Sequence, residues 1–97
     1  MKGIVFHFWS PTCGPCKIVK PVIEDLKEEF PQYTWVSVNT HDDPNNYKDT
    51  FGVQVVPTLV VAIYDDSLKL VSSEKTSGTN HSGYYRILRN GLKLIQQ

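Results

Sequence analysis

The sequence predicts an α/β fold in which a βαβ unit is followed by a β-hairpin and a last helix, in the order βαβαββα. Three observations carry this expectation. Ile4 to Trp9 is a continuous apolar run broken only by His7, the pattern of a strand covered on both faces. An apolar period of three and four residues follows it directly, as a crossover helix requires. Later, two strand-like runs are separated only by Asp65-Asp66-Ser67, which is turn chemistry. The first half reads as a parallel crossover and the second as an antiparallel hairpin. Together they predict a four-stranded mixed sheet flanked by three helices, with helices on both faces.

Taken in order, Ser10-Pro11-Thr12 turns the chain after the first strand. From Gly14 the residues Ile18, Val19, Val22, Ile23, Leu26 and Phe30 recur at helical spacing, so a long amphipathic helix is expected to end near Pro31. Pro21 lies inside it, where a lost N–H and ring crowding predict a kink. Tyr33 to Val38 is rich in strand formers. Asp43 then reads as an N-cap and Pro44 as a first-turn residue of a short helix running to about Phe51 and stopping at Gly52. Thr58 to Tyr64 is the third strand, and Leu68 to Ser73 the fourth. Tyr84, Ile87, Leu88, Gly91, Leu92 and Ile95 form one stripe of a closing helix.

A length of 97 residues predicts one domain spanning 1–97. Apolar residues make up 40% and charged residues 21%, which excludes a disordered chain. Ten basic and ten acidic side chains cancel. No clustered positive field points to nucleic acid or to an anionic membrane as partner. The apolar run at the N-terminus is too short for a signal peptide or a membrane span, and it leads straight into the cysteines. The expected location is therefore cytoplasmic, where two cysteines are catalytic or metal-binding more often than structural.

Chemistry concentrates in Cys13-Gly14-Pro15-Cys16-Lys17, between a buried strand and a long helix. A cysteine in the first turn of a helix faces unpaired N–H groups and the positive end of the dipole, which stabilise a thiolate. Cys13, at the exposed tip, is the candidate nucleophile. Cys16, one turn further in, is the candidate resolving thiol, and the spacing allows the two sulfurs to close a disulfide. A second signal is Val55-Val56-Pro57-Thr58, since proline entering a buried strand belongs at an edge, a bulge or a cis bond.

These segments, with Trp9-Ser10-Pro11-Thr12 ahead of the cysteines, Pro21, Phe51-Gly52-Val53-Gln54 and Ser77-Gly78, together resemble the thioredoxin family over nearly the whole chain from Ile4. The resemblance implies a thioredoxin-like core and dithiol–disulfide exchange on protein disulfides, with no bound organic cofactor. It implies a disulfide reductase as electron donor, flavin-dependent or glutathione-coupled. It also implies that Pro57 is a cis-proline packed against the cysteines and that the Val56 backbone pairs with an extended substrate segment. Trp9, Gly14, Pro15 and Gly78 would border the docking groove. Cys-Gly-Pro-Cys is the setting of the family's reducing members.

The sequence also departs from the family pattern. It begins at the strand that leads to the cysteines, without the usual first helix and outer strand, so a sheet edge needs other protection. Thr12 stands where a second tryptophan is usual. His7, six residues before Cys13, takes the place of a buried aspartate, and Ser37 that of its lysine partner. Removing one member of a buried ion pair strands the other at a cost of about 3–5 kcal/mol, whereas removing both avoids it. His7 is accordingly a candidate proton acceptor for the resolving thiol, with a core histidine that merely fills space as the plain alternative.

Three other readings of the cysteine pair are open to the sequence. A zinc site needs four ligands, and only His7, His41 and His81 remain to join the two thiols, at no ligand-like spacing. A glutaredoxin-like protein would need a carboxylate site for glutathione, and the sequence shows no clear basic pair beside the cysteines. A non-catalytic interaction module is the third alternative.

Overall fold

The strand that runs into the cysteines lies at the centre of the sheet. The computed structural model describes residues 1–96, with β1 (Lys2–Trp9), α1 (Gly14–Glu29), β2 (Thr34–Asn39), α2 (Tyr47–Thr50), β3 (Thr58–Tyr64), β4 (Leu70–Ser77) and α3 (His81–Ile95). The sheet order is β2-β1-β3-β4. β1 and β2 are parallel, joined through α1, and the β1–β3 and β3–β4 pairs are antiparallel. This is the mixed four-stranded sheet that the element order predicts.

Alternation along the two central strands divides the apolar side chains between two cores. Val5, Leu59, Val61 and Ile63 meet Val19, Ile23 and Leu26 of α1 and Tyr84, Ile87 and Leu88 of α3. On the opposite face Phe6, Phe8, Val60 and Ala62 meet Phe51, with Tyr47 of α2 packed alongside. His7 shares the pleat of Val5, so it belongs to the α1 face. α1 continues through Pro21 to Glu29, and the Phe30 N–H closes it by donating to Leu26 O at 2.8 Å.

β1 starts two residues earlier than expected and β2 is offset by one, while two elements differ more. β4 was expected over Leu68–Ser73 and runs Leu70–Ser77. Leu68 sits in the turn at φ 62°, and the strand is an edge whose outer half is Glu, Lys, Thr and Ser, so its pairing is not marked by hydrophobicity. α2 is only Tyr47–Thr50. Asp43 is not its N-cap residue; instead its carboxylate accepts from the N–H groups of Tyr47 and Lys48, at 3.1 and 2.8 Å. It caps the helix from outside while Asn46, at φ 54°, turns the chain into it.

Candidate active site

Register brings the separated sequence signals to one end of the sheet. Phe8 pairs with Thr58, and Thr58 pairs with Ser77. Trp9, Pro57 and Gly78 are the next residues beyond these rungs, so they share that end with the turn that carries Cys13. The Val56–Pro57 peptide bond is cis. Gly78, at φ 93°, donates its N–H to Pro57 O at 2.9 Å and accepts at its own carbonyl from the Tyr84 hydroxyl. The Thr58 hydroxyl lies 2.7 Å from both Ser77 Oγ and Val55 O. Pro57 and the Gly78 loop are thus tied together, and Tyr84 fastens that loop from within the α3 core.

Cys13 is the N-cap of α1 with extended backbone, and its Sγ accepts from the Cys16 N–H at 3.1 Å. Pro15 occupies the first turn, where its missing N–H costs nothing. Cys13 and Cys16 are joined by a disulfide with their Cα atoms 5.3 Å apart. The two sulfurs differ in access: Cys16 is 6% exposed and Cys13 only half-buried, with exposed Gly14 and Pro15 between them. Ile18 and Val55 are exposed large apolar side chains.

Behind the disulfide, a cavity of about 300 Å³ opens between β1, β2 and α1, lined by His7, Trp9, Cys16, Lys20, Glu24 and Lys27 among others. His7 is 8% exposed, and its Nε2 is buried with no hydrogen-bond partner among the described residues. Burial pushes its pKa down to about 4, the Lys27 ammonium adds to this, and the Glu24 carboxylate opposes it. The imidazole is therefore neutral at pH 7. Ser37, which stands opposite His7 in the β1–β2 register, accepts from the Trp9 indole N–H at 2.7 Å. A role for Ser37 in anchoring Trp9 was not legible in the sequence, because two strands have to be aligned before the pair exists.

Lys17, Lys20 and Lys27 all line the cavity that reaches Cys16. Lys17 was already part of the cysteine motif, whereas Lys20 and Lys27 join it only along the cavity wall. Their spacing of three and seven residues, one helical stripe, was the available signal. Among the described residues no cluster of three or more His, Cys, Asp or Glu side chains comes together to hold a metal ion, and His41 and His81 are exposed on loop and helix start.

A central β1 feeding a cysteine-capped helix, with a cis-proline ahead of β3 at the same sheet end, defines an α/β protein with a disulfide at the head of its first helix. A family model described as Thioredoxin matches residues 1–82, and the chain belongs to that family. The M-type chloroplastic thioredoxin of Zea mays is 37% identical over 59 residues, 60% of this chain and 35% of that protein. A thioredoxin of Pyropia yezoensis is 36% identical over 59 residues, 60% of this chain and 54% of that one. The chain thus spans between about a third and about half of these relatives' length. Among solved structures, thioredoxin from Trypanosoma brucei brucei superposes with a TM-score of 0.76 at 25% identity, over 95% of this chain and 76% of that one. Fasciola hepatica thioredoxin gives 0.75 at 24% identity, over 93% and 81%, a likeness of fold.

Proposed function

We propose that the chain is a thioredoxin-type oxidoreductase that reduces protein disulfides through Cys13 and Cys16. The observation that carries this reading is the asymmetry of the pair. Cys13 Sγ lies at a helix N-terminus and takes the Cys16 N–H at 3.1 Å, whereas Cys16 is buried. A thiolate on Cys13 gains both a hydrogen bond and the helix dipole. It attacks a substrate disulfide, one substrate sulfur leaves as thiolate, and a mixed disulfide forms on Cys13. Cys16 then attacks Cys13 Sγ, the second substrate thiolate leaves, and the intramolecular disulfide returns.

Val56, Pro57, Gly78, Trp9 and the Gly14-Pro15 turn form the docking rim in this reading. Their shared sheet end supports it, with the Val56 backbone offered to an extended substrate segment. His7 handles the proton that Cys16 sheds on becoming nucleophilic. Its neutral imidazole has a buried, unpartnered Nε2, and the residue lines the same cavity as Cys16; its depressed pKa makes it pass the proton on to solvent rather than store it. The redox-active disulfide serves in place of a bound cofactor, and a disulfide reductase supplies electrons. A cytoplasmic setting fits this turnover, since a reducing compartment returns the pair to the dithiol.

Cys16→Ser should trap mixed disulfides with substrate proteins, and Cys13→Ser almost none. Equal trapping by both variants would overturn the assignment of roles. Insulin reduction, coupled once to thioredoxin reductase and once to glutathione with its reductase, separates this reading from a glutathione-coupled enzyme. No reduction under either regime would leave an interaction module.

A further inference from the structure

The segment that carries Val56 and Pro57 leaves α2 through a glycine. From Gly52 to Pro57 the chain belongs to neither helix nor strand. Gly52 turns it with φ at 64°, a region that glycine enters at little steric cost. Phe51 and Val53, on either side, are buried in the core that contains Phe6. Hydrophobic burial is non-directional, so it sets where these two side chains lie. It does not set how the peptide planes between them are turned, and the heading of the chain toward Pro57 depends on those planes.

Lys75 reaches both planes from the edge strand. It pairs with Val60 in the β3–β4 ladder, and Ser77 pairs with Thr58, so Lys75 and Ser77 share one face of β4. The Lys75 ammonium donates to Phe51 O at 2.9 Å and to Gly52 O at 3.2 Å. These carbonyls end α2, where orphan acceptors need donors and a cation is favoured. A Cβ at position 52 would stand 3.2 Å from Lys75 Nζ, so the glycine also leaves room for the ammonium. At the other end of the segment, the Thr58 hydroxyl donates to Val55 O and lies 2.7 Å from Ser77 Oγ. Between these two ties is a cavity of about 260 Å³, lined by Gly52, Gln54, Val55, Thr58, Lys75 and Ser77. Hydrogen bonds to β4 and its rung partner thus hold the segment at both ends of that gap.

We propose that Lys75 is a positioning residue for protein substrates, fixing the course of the segment that offers Val56 to them. The Phe51 and Gly52 carbonyls belong to the peptide planes on either side of Gly52. Holding both from one ammonium fixes the rotation between those planes at the most permissive residue of the segment. An extended substrate pairs with the Val56 backbone, so a turn at Gly52 displaces the groups it must meet. A misplacement of about 1 Å can cost about a hundredfold in rate. Lys75 acts on the docking segment and not on the sulfurs. A small disulfide, which forms no strand pairing, is therefore indifferent to it. The proposal rests on the reading of Cys13 and Cys16 as a redox pair with Val56 and Pro57 on its docking rim.

The test uses the prereduced protein in single turnover, with either insulin or neutral bis(2-hydroxyethyl) disulfide in excess. Lys75→Met keeps an apolar stem and removes the donors. Its second-order rate with insulin should fall about fivefold, because partly exposed hydrogen bonds from a charged group are worth less than buried ones. Its rate with the small disulfide should not change. Lys75→Arg, whose guanidinium can donate to two carbonyls at once, should restore most of the insulin rate. The deficit of Lys75→Met should persist in roughly 0.5 M salt, which screens attraction between exposed charges. Rates are taken at a temperature where urea curves show every variant folded. Equal insulin rates for the native protein and Lys75→Met would overturn the proposal. An equal fall with both disulfides would also overturn it, as would a deficit that salt abolishes, the mark of simple steering. Failure of the native protein to reduce insulin would instead sink the parent reading, and this one with it.

Discussion

His7 is where a single side chain links burial, charge and chemistry. Its pKa of about 4 in the folded chain lies below the ordinary 6.5, chiefly because burial disfavours the imidazolium. Between those two values the unfolded chain binds a proton that the folded chain does not. Stability contributed by neutral His7 is therefore complete above about pH 6.5 and is lost as pH falls toward 4, by about 3 kcal/mol in all. Urea midpoints measured at pH 7 and pH 4.5 should show this loss in the native protein. In His7→Leu the loss over the same interval should be smaller by about 2–3 kcal/mol. Parallel pH dependences for the two proteins would remove burial of a neutral imidazole as the cause. The same variant reports on chemistry: slowed turnover with unchanged first attack by Cys13 marks a proton-handling role that packing alone would not produce.

At the scale of elements, the seating of α3 on the sheet depends on Gly91. An added Cβ there would stand 2.8 Å from Val61 Cγ1 and closer still to the Tyr33 hydroxyl, which itself donates to Leu88 O. Alanine would gain about 1 kcal/mol in helix propensity. Overpacking a closed core costs about 1–3 kcal/mol, and the buried, β-branched Val61 side chain on one side with a bonded tyrosine on the other leaves little room to relax. Gly91→Ala should therefore lower stability by about 1–2 kcal/mol, read as a lower urea midpoint at constant slope. An unchanged or raised midpoint would show that α3 can shift outward freely. A glycine on an otherwise apolar stripe was visible in the sequence, but the atoms it makes room for come from β2's entry and β3.

The elements were legible in proportion to how far local chemistry alone determines them. β3 is found at its expected bounds, Thr58–Tyr64, because proline precedes a fully apolar run and two aspartates end it. β4 was shifted because an edge strand with one solvated face carries Ser, Glu, Lys and Thr where apolar residues would mark pairing. α2 was overextended because Asp43 caps through its side chain across three intervening residues rather than from the N-cap position. The site divides in the same way. Cys13 and Cys16 were readable because helix start and spacing are local. The Trp9–Ser37 bond, the Tyr84–Gly78 bond and the cavity shared by Cys16 and Lys20 depend on register and on packing between distant segments.

For the molecule as a whole, the relevant question is whether two cores on opposite faces of one sheet behave as one unit. Phe6 and Phe8 alternate with Val5 and His7 along β1, and Val60 and Ala62 alternate with Leu59, Val61 and Ile63 along β3. Neither core can lose its central strands without exposing the other. Phe51 tests this coupling: it is 9% exposed, its ring lies 4.9 Å from that of Phe6, and it belongs to the face away from α1. Truncation of a buried phenylalanine costs about 3–5 kcal/mol, through lost burial and the cavity left behind. Its position just after the single-turn α2 and its 9% exposure place Phe51→Ala at the lower end. If the chain over 1–97 is a single domain, that loss should appear as one cooperative transition in urea. Far-ultraviolet ellipticity, tryptophan fluorescence and reactivity of the reduced cysteines should then share a midpoint. Two separated transitions, with α2's face melting while Cys16 stays protected, would mean that the sheet does not couple its faces. The docking rim would then be held by the α1 and α3 core alone, through Tyr84 and Gly78, and Phe51→Ala would leave substrate trapping by Cys16→Ser unaffected. In a coupled molecule the double variant should trap less at elevated temperature, in step with the unfolded fraction.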